Sequence, residues 1–262
     1  MSNSKYSDLI QAINETNVDS EVDIYVPSCG KFVKFTPLTI EHQKKIISTS
    51  LDATVLNTTN HAVLMSEICT DCCKEPITLY ALDRDAIAIA LRCESIGHDV
   101  SVQNVSGGVV KHDIYDHVKS YESIDKPENL LSTQTINVDK TCIKIKPPTL
   151  KDDTQVNECL LPQVSRDDLS DSKVIKNIVG SAIMYEYVKY IKSIEIGDVH
   201  VKFDYTHADQ LVRVVESLPL SVSKKLLDEI NKIKQYQDKF VNISHQDSTL
   251  TIVTDARFYN SE

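Results

Sequence analysis

The sequence predicts a mixed α+β protein of antiparallel hairpins and amphipathic helices, with a more helical C-terminal half. Two patterns predict it: short alternating apolar runs that flank turn residues, and longer runs with apolar residues every three to four positions. At 262 residues the chain could form one large domain or two modest ones. We expect a hairpin-and-helix N-terminal region over residues 1–150, an acidic loop-like connection over residues 151–172, and a helical C-terminal region over residues 173–262 with a hairpin and a terminal strand.

Alternating apolar residues on either side of turn residues predict four hairpins. The first spans residues 22–37, and the others are expected over residues 100–110, 135–146 and 194–203. Their turns are Pro27-Ser28-Cys29-Gly30, Gly107-Gly108, Asp139-Lys140 and Gly197-Asp198. In the last hairpin the alternation turns His200 away from Val199, Val201 and Phe203, so we expect the His200 side chain in solvent. A further strand is expected from Thr249 onward.

Apolar residues at helical spacing predict the helices. Asp83 is a plausible N-cap for a helix over residues 86–96, and Gly97 supplies its C-terminal stop. Further helices are expected over residues 4–16, 39–56, 60–73, 173–191, 206–218 and 221–240. The segment between them at residues 150–172 carries scattered acidic residues, including Asp152 and Asp153, and this composition is typical of a loop.

The charge of the chain favours protein partners. A formal net charge of −10 argues against nucleic-acid binding, which needs Lys and Arg to neutralise phosphates. No run of apolar residues is long enough to span a membrane, and the N-terminus lacks the apolar segment of a signal peptide, so we expect the chain to stay in the cytoplasm where it is made. The seven cysteines have no regular spacing and indicate reduced thiols.

Two groups of residues could in principle bind a metal, and a third group is a weaker candidate. Cys69, Cys72 and Cys73 fall at helical spacing and could act with His61 or Cys93, but a structural zinc site needs a second, well-spaced pair. Buried or half-buried free thiols are the alternative interpretation. His112, Asp113, Asp116 and His117 form a dense titratable cluster that is alternatively a solvated helix or loop face, and His200 with His207 and Asp209 is a weaker candidate.

Enzyme motifs are missing from the sequence. Gly107-Gly108 lacks the rest of a phosphate-binding loop, Pro27 to Lys31 is a turn between strands, and no nucleophile elbow is present. We therefore predict no catalytic residue, no cofactor, no metal and no small-molecule substrate. A metal-dependent enzyme or metal-binding module built on the two groups above stays open as an alternative.

Phe258 and Tyr259 form an aromatic pair near the C-terminus. Aromatic residues are favoured anchors at protein interfaces, but a chain end can also fold back into its own core. Both interpretations stay open, and these two residues are the candidate interaction site.

Several short motifs, in their order along the chain, resemble a family of T-even-like contractile-tail phage baseplate proteins. The resemblance begins with the hairpin of residues 22–37 and the helix start at Thr39-Ile40-Glu41. It continues through Ile68-Cys69, Leu79-x-x-Leu82-Asp83-Arg84, Leu91-Arg92-x-x-Ser95-Ile96-Gly97, Ile143 to Thr149, and Phe258-Tyr259. Members often carry paired cysteines in two stretches that correspond to residues 102–111 and 242–249 here, where this chain has none.

The resemblance implies a protein of tail morphogenesis. It would be a structural component of the baseplate, at the central hub, or a transient hub assembly chaperone that is absent from the mature virion. Its partners would be other phage baseplate or hub proteins in a symmetric hetero-oligomeric assembly, with no nucleic acid and no membrane span.

Overall fold

A computed structural model describes residues 20–51, 57–103, 109–164, 172–245, 248–255 and 258–259. The strands are β1 (Val22–Val26), β2 (Lys31–Phe35), β3 (Asp99–Gln103), β4 (Val109–Asp113), β5 (Gln134–Val138), β6 (Thr141–Ile145), β7 (Ile191–Ile196), β8 (Val199–Lys202), β9 (Asn242–His245) and β10 (Ser248–Thr251). The α-helices are α1 (Ile40–Leu51), α2 (Asn57–Cys72), α3 (Arg84–Ser95), α4 (Tyr115–Ser120), α5 (Glu128–Leu131), α6 (Leu150–Val164), α7 (Ser172–Val188), α8 (Ala208–Glu216) and α9 (Leu220–Val241). The predicted α+β class is confirmed.

All four predicted hairpins form, as the pairs β1–β2, β3–β4, β5–β6 and β7–β8. Two of their turns use glycine in the left-handed region, Gly30 at φ +63° and Gly197 at φ +58°, where a side chain would be strained. The turn around residues 104–108 and the predicted helix over residues 4–16 lie outside the described residues.

The largest sheet is antiparallel, with strand order β5-β6-β7-β8. Its register places Ile143 opposite Ile136 on one side and Ile194 on the other, and Ile194 opposite Val201. These side chains therefore share one face. The sheet takes strands from both sides of residue 150, where the sequence suggested a boundary between regions, and that division stays a prediction.

The loop-like connection expected from residue 151 is wrong for Leu150–Val164, which forms α6. The Thr149 hydroxyl accepts a hydrogen bond from the Asp152 backbone N–H at 3.1 Å, and the Asp152 carboxylate accepts one from the Thr149 N–H at 3.2 Å. This is a capping arrangement, and acidic residues stabilise a helix start through the helix dipole. Asp152 and Asp153, two of the acidic residues that suggested a loop, thus lie in the first turn of a helix, and Val156 and Leu160 bury the inner face of this helix. Residues 165–171 of the expected connection lie outside the described residues.

The sequence did not predict the strand β9 or the short helices α4 and α5. Strand β9 follows α9 without a loop and pairs with β10, which places the buried residues Ile243 and Leu250 opposite each other. Ile243 is the one apolar residue of β9, so the sequence has no alternation here and the strand is defined by its partner.

Buried side chains form two large cores and a smaller aromatic cluster between them. The first core contains residues of β1–β3, α1–α3, β9, β10 and the C-terminal tail, and the second contains residues of β5–β7 and α6–α9. The aromatic cluster consists of Leu82, Ala86, Tyr121, Tyr236 and Phe240. Because α9 contributes to the second core and to this cluster, it joins the two cores.

The segment Leu79–Arg84, here called the junction segment, lies against the start of α6. Ala81 N–H donates to Pro148 O and Leu150 N–H donates to Leu79 O, each at 2.9 Å. Tyr80 and Thr149 form an isolated antiparallel bridge. Two motifs that are about 70 residues apart in the sequence are therefore hydrogen-bonded neighbours.

Asp83, in the junction segment, holds the turn of the first hairpin. Its buried carboxylate accepts hydrogen bonds from Ser28 N–H at 2.8 Å, Ser28 Oγ–H at 2.7 Å and Tyr80 N–H at 2.9 Å. Burial raises the pKa of Asp83 to about 6, although these hydrogen bonds act in the opposite direction. Asp83 occupies the predicted N-cap position of α3, but its side chain makes no capping bond to that helix. The carboxylate binds Ser28 of the distant hairpin turn and Tyr80 N–H instead.

We expect the substitution Ser28→Ala to destabilise the chain more at pH 8 than at pH 5. A hydrogen bond to a charged group contributes about 1.5–3 kcal/mol and a neutral one about 0.5–1.5 kcal/mol, and the Asp83 carboxyl is mostly charged only at the higher pH. The folded pKa lies above the ordinary value of 3.8, so ionisation of Asp83 lowers stability between about pH 4 and pH 6. Loss of the Ser28 hydroxyl steepens this decline.

Urea unfolding at both pH values measures this effect, with Ser101→Ala as the matched control on an exposed strand position. The control is expected to change stability by less than about 0.5 kcal/mol. An equal loss for Ser28→Ala at pH 5 and pH 8 would contradict the assigned contact.

Candidate functional site

Buried charges link the junction segment to the second core. Arg84 Nη1 lies 2.6 Å from one Asp153 carboxylate oxygen, and Lys189 Nζ lies 2.6 Å from the other. Lys189 also contacts Glu186 at 2.5 Å, and Glu186 contacts Lys234 at 3.1 Å. We call these five residues the charge network; they come from α3, α6, α7, the turn after α7, and α9.

Within the charge network, the buried pair Asp153 and Lys189 favours the ionised form of both side chains. Burial alone would raise the pKa of Asp153, but Lys189 and Arg84 lower it below its ordinary range. Burial opposes the charge of Lys189, and the carboxylates of Asp153 and Glu186 nevertheless raise its pKa. Asn157 donates a further hydrogen bond to Asp153 at 3.3 Å. Removing one partner would leave an uncompensated buried charge, which is costly.

A polar cleft of about 340 Å³ lies beside the charge network. Its walls include Thr58, Arg84, Glu186, Lys189, Lys234 and Gln237. The three cations of the network each contact a network carboxylate, so their charges are compensated within the fold.

The cysteines proposed as metal ligands are separate thiols. Cys69 and Cys72 are buried and Cys73 is half-buried, as the alternative interpretation expected, and none of the three forms a disulfide. Burial raises the pKa of Cys69 strongly and that of Cys72 to about 11, so both thiols stay protonated. Within the described ranges, no group of three or more His, Cys, Asp or Glu side chains is arranged to hold a metal ion.

The histidine candidates do not converge on one site. His117 is half-buried, and its Nε2 lies 2.8 Å from Phe240 O, while the Asp113 carboxylate accepts a hydrogen bond from Tyr115 N–H. Burial lowers the pKa of His117. His200 is solvent-exposed, as predicted, and the exposed residues His207 and Asp209 lie at the start of α8.

The aromatic pair Phe258 and Tyr259 is buried in the first core, at 4% and 0% exposure. Arg92 holds this tail, because its Nε donates to Phe258 O at 2.8 Å and its guanidinium carbon lies 5.3 Å from the Phe258 ring centroid. Gln43 Nε2 donates to Tyr259 O at 2.7 Å. The fold-back into the core is thus what the structure shows, and an anchoring role toward a partner stays a prediction that would require the tail to leave this core.

Arg92 is a functional residue that its sequence pattern did not identify, although it lies within a motif of the resemblance. Arg92 is buried, and among the described residues no carboxylate forms an ion pair with it; it donates to backbone carbonyls of Phe258, Gly97 and Asp99. Burial lowers its pKa from the ordinary value. The available signal was that the helical pattern places Arg92 on the side of the helix that faces the core.

The sheet leaves apolar side chains exposed on its outer two strands. Ile196, Val199 and Val201 are 45%, 65% and 41% exposed, and the register places them on the same face as the buried Ile194. We call these three residues the outer-strand patch. Val199 and Val201 lie on the face of β8 opposite to His200, as the alternation predicted, but the second core does not extend over β8. An exposed apolar patch of this kind is typical of a contact surface.

A comparison with protein families indicates the same family as the order of the motifs. A family model described as T4 bacteriophage base plate protein matches residues 17–248. The chain belongs to this family. No curated protein and no solved structure matches the chain.

Membership of the base plate family implies association with other phage baseplate proteins and a place in the virion tail. A structural family of this kind also suggests a non-enzymatic role. Among the described helices, none has the length and apolar character needed to cross a membrane.

We expect Lys189→Met to destabilise the chain by about 3–5 kcal/mol, because it removes one partner from buried ion pairs. The matched control is Lys232→Ala, since the Lys232–Glu229 pair is solvent-exposed and such pairs contribute about 0–1 kcal/mol. Chemical denaturation of both variants tests the difference. Equal stability of the two variants would show that the charge network does not hold the fold.

We expect Phe258→Ala and Tyr259→Ala each to lower stability by about 3–5 kcal/mol, because both rings are buried. Val253→Ala, in the same tail at 61% exposure, is the control and should have a small effect. Thermal unfolding measures all three variants. If the aromatic variants were as stable as the control, the rings would not be part of the core.

Proposed function

We propose that this chain is a non-enzymatic structural component of a contractile phage tail baseplate, located at the central hub and acting through protein–protein contacts. The observation that carries the proposal is the family match over residues 17–248. The hub location follows from the resemblance of the motifs to proteins of that part of the baseplate.

The surface of the chain supports contact with protein. The outer-strand patch supplies an apolar surface on a rigid sheet, and a net charge of −10 disfavours nucleic acid and favours basic protein surfaces. Contacts of this kind can bury well over the roughly 1,600 Å² of a standard interface when a subunit has several neighbours in a closed assembly.

The chemistry of the described interior also supports a structural role. The charge network pairs its cations with carboxylates, and the buried thiols of Cys69 and Cys72 are protonated because burial raises their pKa. These groups stabilise the fold. Catalytic acids and bases, in contrast, commonly have pKa values near the working pH and are accessible to a substrate.

Quantitative mass spectrometry of purified virions tests the proposal. The chain should be present in a whole-number ratio to a tail protein of known copy number, consistent with the symmetry of the tail. A phage protein that acts only in the infected cell serves as the control for contamination. Absence of the chain from virions, despite abundance in the infected cell, would contradict a structural role and support the transient assembly chaperone instead.

A further inference from the structure

The two edges of the four-stranded sheet differ. At the β5 edge, Lys225 Nζ of α9 donates to the outward carbonyl of Asn137 at 3.4 Å, so this edge is partly covered. At the β8 edge, no residue within the described ranges bonds to the outward backbone groups. An uncovered edge strand is a template for pairing with another strand.

The register identifies the backbone groups that are free. A two-residue turn at Gly197-Asp198 makes Ile196 and Val199 the hydrogen-bonded closing pair, and such pairs alternate along an antiparallel ladder. Val199 and Val201 therefore bond to β7, whereas the N–H and C=O groups of His200 and Lys202 point outward. The bond from Phe203 N–H to Lys192 O, at 2.9 Å, continues the same alternation.

We propose that two copies of this chain pair through β8, antiparallel and centred on His200, so that two four-stranded sheets become one sheet of eight strands. His200 then exchanges both backbone hydrogen bonds with the partner's His200. Val199 lies opposite the partner's Val201, which extends the outer-strand patch across the interface. Lys202 lies opposite the partner's Asp198.

A second copy fits this edge because the edge is complementary to itself. Pairing of β-branched residues and of opposite charges across strands is favourable, and a two-fold arrangement forms each such pair twice. A register centred on Val201 would instead place Lys202 beside the partner's His200. Lys202 would then have no carboxylate opposite it. A shift by one residue would set apolar residues against the polar face.

The paired edge is only four residues long, so this contact is smaller than a standard interface of roughly 1,200–2,000 Å². We therefore expect association that depends on protein concentration. Cross-linking is the suitable test, because it captures weak pairs and reports the register directly.

The substitution His200→Cys should produce a disulfide-linked dimer under mild oxidation with oxidised glutathione. Directly opposed residues of a hydrogen-bonded pair have Cα atoms about 5.5 Å apart, within the range that a disulfide spans. The matched control is Thr135→Cys, which is also exposed but lies on the opposite edge strand. Wild-type protein gives the background from the native cysteines. We expect at least a tenfold higher dimer yield for His200→Cys than for either control.

Charge exchange tests the predicted ion pair. Adding Lys202→Asp to His200→Cys should reduce the dimer yield, because two carboxylates then face each other across the interface. Adding Asp198→Lys as well should restore the yield, since the opposite charges are exchanged. Circular dichroism checks that each variant is folded, and the comparison of His200→Cys with Thr135→Cys decides the proposal even if a charge variant does not fold.

Three results would overturn the proposal. One is equal dimer yield from His200→Cys and Thr135→Cys. Another is efficient cross-linking of Val201→Cys in place of His200→Cys, which would show a different register. The third is a cross-link from His200→Cys to a different phage chain in infected cells without any self-linked dimer, which would mean that a strand of that chain occupies the edge. The virion mass spectrometry above is independent of all three.

Discussion

Asp83 and Arg84 are adjacent residues of opposite charge, and both side chains point into the interior. The packing of both cores depends on the groups that these two side chains contact. Asp83 accepts three hydrogen bonds in the first core and fixes the turn at Ser28. Arg84 reaches Asp153 and begins the charge network of the second core. Neither side chain can be buried without its partners, so the two contacts together fix how the first hairpin and α6 lie relative to the junction segment.

The motifs that resemble the base plate family are individually short, and the structure shows why they occur together. The hairpin turn at Ser28 contacts Asp83, the strand exit at Thr149 bridges Tyr80, and Arg92 holds Phe258. In each of these three contacts, both sides are supplied by motifs of the resemblance. Their shared order along the chain therefore reflects one set of tertiary contacts.

Local patterns in the sequence were sufficient for the hairpins and long helices, because alternation and helical spacing depend only on near neighbours. They were insufficient for α6, whose acidic start resembles a loop until the capping bonds of Thr149 are seen. The role of Arg92 and the burial of Phe258 depend on partners 166 positions apart, which spacing cannot reveal. The outer-strand patch was also hidden, because the alternation at Val199 predicts the face of the sheet but not how far the second core extends over it.

The chain thus combines a tightly connected interior with a sheet edge that carries apolar side chains, and its central function is expected to be contact with protein through that edge. Cross-linking mass spectrometry of intact tails with a lysine-specific reagent tests this most directly. Exposed Lys202 should link to a lysine of another chain or of a second copy, whereas Lys189, buried in the charge network, should not react. Two results together would contradict a contact at the outer strands. Lys202 would form links only to lysines of its own chain, and it would remain fully reactive toward the reagent in intact tails.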